Sequence, residues 1–151
     1  MGKDLSIRFE DYHLNIRCGI ILRYGNETVL EVSRLGLNSV IPGGRIQIGE
    51  SSRDAAMREM REEMKLSLDE ERLSFVTVLE NFFVYGKVRV HEIFFVYEYE
   101  LNEREAAVVK SLDGNMDNES TYFRFSGYDE LEELDLLPVK LRDIIRQKPI
   151  K

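Results

Sequence analysis

Three glutamates, Glu59, Glu62 and Glu63, recur at spacings of three and four residues in a segment with the apolar pattern of a helix. At about 100° per residue, these spacings place the three carboxylates on one arc of the helix surface. Clustered carboxylates bind hard divalent cations such as Mg²⁺ or Mn²⁺ through oxygen. The alternative is a solvated, salt-bridged helix face, in which Arg58 pairs with Glu62. This segment alone leaves both interpretations open.

The residues upstream of these glutamates favour the metal site. Gly44 is followed after five residues by Glu50, and Glu50 is followed after seven by the run Arg58-Glu59-Met60-Arg61-Glu62-Glu63. This pattern resembles the Nudix box, G-x5-E-x7-R-E-U-x-E-E-x-G-U, in which U is apolar. The matching positions are Gly44, Glu50, Arg58, Glu59, Met60, Glu62, Glu63 and Leu66. Lys65 stands where the box has glycine, which predicts a strained left-handed helix exit costing about 1 kcal/mol, or a different helix end.

The resemblance implies a pyrophosphohydrolase dependent on Mg²⁺, with Mn²⁺ as a second cation. Its substrate would be a nucleoside diphosphate linked to a group X, cleaved to a nucleoside monophosphate and phosphoryl-X. The implied metal ligands are Glu59, Glu62, Glu63 and a backbone carbonyl near Gly44. The implied catalytic residues are the same three glutamates and Arg58, which orients them by ion pairing. Arg45 and Glu50 are expected to contact the substrate.

A long segment without a clean period, residues 101–120, predicts a functional or mobile loop. Several Nudix enzymes carry a further carboxylate in this region, so the resemblance makes Glu119 a candidate metal ligand. The competing interpretation of Glu119 is plain loop charge. Asp113, Asn115 and Asp117 have the spacing that begins a calcium loop, but the later glycine and glutamate of such a loop are missing. They are better explained as turn residues.

The remaining pattern predicts how these residues are positioned. Apolar and β-branched runs predict strands at 16–22, 28–32, 73–84, 88–100 and 121–125. Helices are predicted at 52–64, 128–134 and 138–147, the first of them capped by Ser51 or Ser52. Strands with helices on either side predict one α/β domain over residues 1–151. The resemblance specifies an α/β/α sandwich with a mixed sheet.

Composition excludes several classes of protein. The net charge of −7 argues against a protein that coats DNA or long RNA, because such coating needs a basic face. No stretch reaches the roughly 18 apolar residues of a membrane helix, and no secretory signal is recognisable, so a cytoplasmic protein is expected. Cys18 lies in an apolar run and is expected to be buried in the core. The expected partner is a small nucleotide-type substrate, and a homodimer is suggested only by the family.

Two other functions compete with the hydrolase. The domain could bind a nucleotide or a nucleotide-sugar without cleaving it, as a sensor, although a pure binder has no need of all three glutamates. It could also be an interaction domain with an acidic surface helix.

The aromatic residues are expected in the core rather than in a base-stacking pocket, and His91 is expected to be structural. Those aromatic residues are Phe82, Phe83, Phe94, Phe95 and Tyr97.

Overall fold

The structure, a computed structural model, describes residues 2–147, which form eight strands and three α-helices. The strands are β1 (Ser6–Phe9), β2 (Tyr12–Tyr24), β3 (Glu27–Ser33), β4 (Ser39–Val40), β5 (Gly43–Arg45), β6 (Ser74–Tyr85), β7 (Val88–Glu100) and β8 (Thr121–Gly127). The helices are α1 (Ser52–Met64), α2 (Glu103–Lys110) and α3 (Lys140–Arg146).

The eight strands form one mixed sheet, with β2 and β7 as its parallel centre. β6 lies at the edge beyond β7 and pairs with it antiparallel. On its other side, β2 pairs with three strands in turn along its length: β1 at its start, β5 in its middle and β3 at its end. β3 also pairs with β4 and β8. The long strand β2 therefore connects every region of the sheet.

Helices cover both faces of this sheet. Alternate residues of β2 point to opposite faces, so that Cys18, Ile20 and Leu22 pack against α1 and α2, whereas Ile21 packs towards α3. The first core contains Met60 and other apolar residues of α1, and the second contains residues of α3 such as Leu141 and Ile145. The expected α/β/α sandwich is therefore confirmed, as is the complete burial of Cys18.

Several predicted elements differ from the structure. The segment 101–120 contains helix α2, which begins with a capping box: Asn102 accepts the N–H of Glu105, and the carboxylate of Glu105 accepts the N–H of Asn102. The expected helix at 128–134 is wrong, because this segment forms successive turns. Its run of acidic residues would repel itself in a helix, and the turns allow Leu131 to be buried. The last helix is shorter than the predicted 138–147.

Helix α1 occupies the predicted residues and is capped at both ends. Ser51 is the N-cap, and its side chain accepts the N–H of Asp54. At the C-terminus, Lys65 adopts a left-handed conformation with φ 52° and ψ 35°. The N–H groups of Lys65 and Leu66 bond the carbonyls of Arg61 and Met60 at 3.0 and 3.2 Å. The helix therefore keeps the glycine-type exit with a lysine in the strained position.

The helices of residues 2–147 are short. The longest has 13 residues, whereas a membrane-spanning helix needs about 20 apolar residues. None of the helices in this part of the chain meets that requirement.

The strain at Lys65 gives a first prediction. Lys65→Gly is expected to raise the free energy of unfolding by about 0.5–1 kcal/mol, because glycine has no Cβ to oppose the left-handed conformation. The measurement is equilibrium unfolding in urea. Lys65→Ala is the control, since alanine removes the long side chain and retains the strain. Equal stability of the glycine and alanine variants would show that the left-handed exit costs nothing here.

Candidate active site

Two of the three motif glutamates lie beneath α1 rather than on its exposed surface. Glu59 and Glu63 are 8% and 6% exposed and face the sheet together with the apolar residues of the helix. Glu62 points outward, with 41% of its side chain exposed. The expectation of a shared arc is thus only partly met. Glu62 differs in exposure from its two neighbours because the helix packs the side that carries Glu59 and Glu63 against β5.

Strand β5 gives room for these carboxylates because it begins with two glycines. A Cβ on Gly44 would lie 2.5 Å from the Cδ and Oε1 atoms of Glu59. A Cβ on Gly43 would lie 2.1 Å from the carbonyl oxygen of Cys18 on the paired strand β2. Any other residue would push the helix or its carboxylates away. The glycines of the motif therefore allow α1 to approach the backbone closely.

Arg58 connects the remaining carboxylates of the motif. Its Nε donates to Glu50 Oε2 at 2.7 Å, and its Nη2 donates to Glu50 Oε1 at 3.0 Å. Its Nη1 donates to Glu59 Oε1 at 3.0 Å and to both oxygens of Glu62 at 3.0 and 3.1 Å. Nη2 also donates to the carbonyl oxygen of Arg45 at 3.1 Å. One guanidinium thus fixes three carboxylates and the end of β5.

Glu50 and Arg45, the expected substrate contacts, have other partners in this structure. Hydrogen bonds from Arg58 lower the pKa of Glu50 below its usual value, and the N–H of Gln47 also donates to this carboxylate at 3.0 Å. The Arg45 guanidinium is half-exposed and lies 3.8 Å from the carboxylate of Asp4. Glu50 is therefore held within the motif, whereas Arg45 faces solvent and is open to a ligand.

The buried carboxylates carry an electrostatic cost. Burial raises the pKa of Glu63 to about 9, and the charges of Glu31 and Glu59 add to the rise. Burial also raises the pKa of Glu59, although Arg58 opposes the shift. Glu63 Oε1 is buried without a hydrogen-bond partner in the described part of the chain. A cation placed here would stabilise the ionised form of both groups.

The loop after α2 reaches this site through Met116 and Asp117. The N–H of Met116 donates to the carbonyl oxygen of Glu63 at 2.8 Å, and the charge of Asp117 contributes to the raised pKa of Glu59. Glu119 is exposed, and its backbone oxygen accepts Arg34 Nε at 3.0 Å. No hydrogen bond or ion pair between residues 2 and 147 joins its carboxylate to the motif. Its role as a metal ligand stays a prediction.

Sequence reasoning missed Glu31 on β3. This glutamate is 8% exposed and close enough to Glu63 for its charge to raise the pKa of that residue. Its Oε2 accepts hydrogen bonds from Asn115 Nδ2 and Thr121 Oγ1. One signal was present in the sequence, because Glu31 interrupts the apolar run from Val29 to Val32 of a predicted strand.

The carboxylate oxygens of the motif fit a hard divalent cation in their chemistry, although the side chains do not all point to one position. Between residues 2 and 147, no three His, Cys, Asp or Glu side chains are grouped closely enough to hold a metal ion. Arg58 draws Glu59 and Glu62 towards itself. The unpartnered oxygen of Glu63 and the oxygen-rich, acidic surroundings nevertheless match the ligands that Mg²⁺ and Mn²⁺ prefer.

An apolar groove of about 600 Å³ lies on the same face of the sheet as α1. Two rows of side chains that cross β1, β2, β7 and β6 form most of its lining, and His13, Val90 and Phe83 of the row between them complete it. The rows are Ile7, Leu14, His91 and Phe82, and Phe9, Tyr12, Arg89 and Val84. Leu14 precedes Cys18, the partner of Gly44, by four residues, which is about 13 Å along a strand. The groove is thus within the length of a nucleotide from the carboxylates.

The aromatic residues divide between core and groove. Phe94 and Tyr97 are buried, as expected. Phe82 is 70% exposed and Phe83 is also exposed, so their expected place in the core is wrong. β6 is an edge strand, and no helix among residues 2–147 covers this end of it. His91 lies in the groove, with its ring 4.5 Å from that of Phe82.

Comparisons with known proteins agree with this architecture. The sequence profile of the NUDIX domain matches residues 13–147. A comparison with curated protein sequences gave no match. Among solved structures, the MutT protein from Bacillus halodurans has a TM-score of 0.68 at 19% identity, covering 88% of this chain and 80% of that chain.

Two further structures share the fold. A MutT NUDIX hydrolase from Burkholderia pseudomallei has a TM-score of 0.65 at 15% identity, covering 90% of this chain and 98% of that chain. A binary complex of a C. elegans Ap4A hydrolase has a TM-score of 0.60 at 13% identity, covering 87% and 93%. At these identities the structures establish the fold alone, and the profile match establishes the family.

The Arg58 network yields a second prediction. Arg58→Lys is expected to lower the free energy of unfolding by about 1–3 kcal/mol, because one ammonium cannot reach Glu50, Glu59 and Glu62 together and leaves a buried carboxylate unpaired. Urea unfolding measures the effect. Arg61→Lys, at an exposed position of the same helix, is the control and is expected to stay within about 0.5 kcal/mol. Similar values for both variants would contradict the network.

Proposed function

The chain belongs to the Nudix family of hydrolases, which act on pyrophosphate bonds, and we propose that it is a Mg²⁺-dependent pyrophosphohydrolase. Its substrate is a nucleoside diphosphate linked to a group X, and its products are a nucleoside monophosphate and phosphoryl-X. The observation that carries the proposal is the burial of Glu59 and Glu63 against Gly43–Gly44, with an unpartnered oxygen on Glu63.

The residues of this chain have distinct tasks in the proposed reaction. Glu59, Glu62 and Glu63 would hold the cation together with the backbone carbonyl near Gly44. When bound, the cation would neutralise the pyrophosphate charge and polarise the attacking water. Arg58 orients the carboxylates of Glu59 and Glu62 through its hydrogen bonds to them. A carboxylate of the cluster would accept the proton of the water.

The competing function is a nucleotide sensor. A sensor that binds the nucleotide without a cation has no use for the buried, unpartnered Oε1 of Glu63, because a buried polar group without compensation is costly. One experiment distinguishes the hydrolase from the sensor. A panel of nucleoside diphosphate derivatives is incubated with Mg²⁺ or Mn²⁺ and scored for released monophosphate. Calorimetric binding without product in long incubations would favour the sensor.

The metal site gives a third prediction. Glu63→Gln is expected to lower kcat/KM for the best substrate of that panel by about 100-fold or more, because the substitution removes one charged cation ligand with little change of shape. Glu62→Gln is expected to act in the same direction. Initial rates in Mg²⁺ measure the effect.

Glu71→Gln serves as the matched control, since Glu71 is an exposed carboxylate outside the motif. It is expected to keep the wild-type rate. Wild-type hydrolysis by either Glu62→Gln or Glu63→Gln would show that the assignment of the site is wrong.

The groove supports a more specific proposal, namely that it receives the aromatic base of the nucleotide. Its exposed rings offer stacking surfaces, and an exposed apolar surface of this kind marks a binding site in many proteins. Arg89, which lies over the ring of Tyr12 at 5.8 Å, places a positive charge beside the groove. The base would lie here while the pyrophosphate reaches the carboxylates.

The fourth prediction concerns Phe82. Phe82→Ala is expected to raise KM about tenfold and leave kcat within about twofold, because stacking of a base on an aromatic ring contributes about 1–3 kcal/mol to binding. Phe75→Ala is the control, since Phe75 is exposed on the same strand outside the groove. An unchanged KM together with conversion of a dimer to a monomer would identify the groove as a subunit interface instead.

Three broader predictions from the sequence complete the proposal. The family implies a small nucleotide-type substrate. The homodimer is a second prediction, and it too comes from the resemblance to the family. Analytical ultracentrifugation tests the homodimer. The cytoplasmic location is likewise proposed from the sequence.

A further inference from the structure

Glu31 is a buried carboxylate outside the Nudix motif. It lies in β3, where Leu30 and Val32 on either side point into the core of the opposite face. The pleat of the strand turns Glu31 towards α1, and 8% of the residue is exposed. No lysine or arginine in the described range 2–147 forms an ion pair with it. Buried carboxylates are normally paired with a cationic side chain or bound to a metal.

The hydrogen bonds of Glu31 fix its orientation and leave one oxygen free. Oε2 accepts Asn115 Nδ2 at 2.9 Å and Thr121 Oγ1 at 2.7 Å. Within residues 2–147, no hydrogen bond reaches Oε1. Two neutral donors on one oxygen hold the carboxylate in place without neutralising its charge.

Glu31 lies near Glu63, close enough for the charges of the two side chains to interact. Glu63 is 94% buried, and its Oε1 has no hydrogen-bond partner in this part of the chain. Asn115 contacts Glu31 and also interacts with Glu63, and the adjacent Met116 binds the Glu63 backbone. The loop that follows α2 thus contacts both glutamates, through Asn115 and Met116.

We propose that Glu31 is a further ligand of the divalent cation, held in place by Asn115 and Thr121. This inference rests on the proposed function, because it assumes that the motif carboxylates bind a cation. It goes beyond the motif, which does not include β3.

The charge balance of the site supports this assignment. Glu31, Glu59 and Glu63 bring three carboxyl groups into a buried region, and the guanidinium of Arg58, which contacts Glu59 there, is shared with Glu50 and Glu62. A divalent cation would offset the excess of carboxylates over cationic side chains at this site. A purely structural acceptor on β3 would not need a carboxylate, because the amide oxygen of glutamine accepts the same two hydrogen bonds.

The experiment compares Glu31→Gln with Glu27→Gln. The first substitution keeps an oxygen for Asn115 and Thr121 and removes the charge. The second removes a carboxylate from the same strand and the same side, about 13 Å away. Calorimetry with Mn²⁺ in the absence of substrate measures the dissociation constant. Glu31→Gln is expected to raise it about tenfold or more, and Glu27→Gln is expected to leave it unchanged.

Thermal unfolding without metal supplies a second readout. Glu31→Gln is expected to keep or raise the Tm, because it removes a like charge beside Glu63 and retains the hydrogen bonds. The increase of Tm on addition of Mn²⁺ is expected to shrink. Thr121→Val, which keeps the charge and removes one donor, is expected to weaken Mn²⁺ binding less than Glu31→Gln does.

The outcomes separate the inference from the function on which it rests. Wild-type protein that binds no Mn²⁺ at millimolar concentration overturns both. Wild-type binding with an equal dissociation constant for Glu31→Gln overturns the role of Glu31 and leaves the proposed function intact. A lowered Tm without metal, combined with unchanged Mn²⁺ affinity, shows that Glu31 is a structural acceptor.

Discussion

The site depends on the burial of carboxylates between α1 and the backbone of β5. Glu59 and Glu63 occupy the side of the helix that packs on the sheet, where apolar residues would be more stable. Burial raises the pKa of both groups, because a buried carboxylate loses the hydration of its charge. Burial of two carboxyl groups at such a position is costly without compensation, and a bound cation would supply that compensation.

The surroundings of the two glutamates follow from this constraint. Close approach of helix and strand requires Gly43 and Gly44, because a Cβ at either position would collide with a carboxylate or with β2. Partial compensation comes from Arg58, whose planar guanidinium contacts three carboxylates at once. A second layer, the loop 113–120 and strand β3, closes the site from the other side through Asn115 and Glu31. Segments that are distant in the sequence therefore all contact the same group of buried carboxylates.

Local patterns gave correct predictions where local forces decide the structure. α1 was predicted residue by residue, because its cap, its apolar period and its length all agree. The long strands β6 and β7 were predicted within one residue at each end. Helix α2 was missed although Asn102 and Glu105 carry a capping signal, since its eight residues show no long period. The segment 128–134 was wrongly predicted as a helix, because its apolar residues are buried by consecutive turns instead.

The sequence alone determined the family, the class of chemistry and the identity of the motif residues, because these depend on residue types at fixed spacings along one helix and the turn before it. Only the tertiary structure decided that Glu59 and Glu63 are buried while Glu62 is exposed, since the helical spacing is the same whichever side meets the sheet. Likewise, strand pairing and loop closure, which no local spacing encodes, placed Glu31 beside Glu63 and left Phe82 uncovered. Contacts between residues far apart in the chain depend on how the elements pack, and that packing is decided by the whole core.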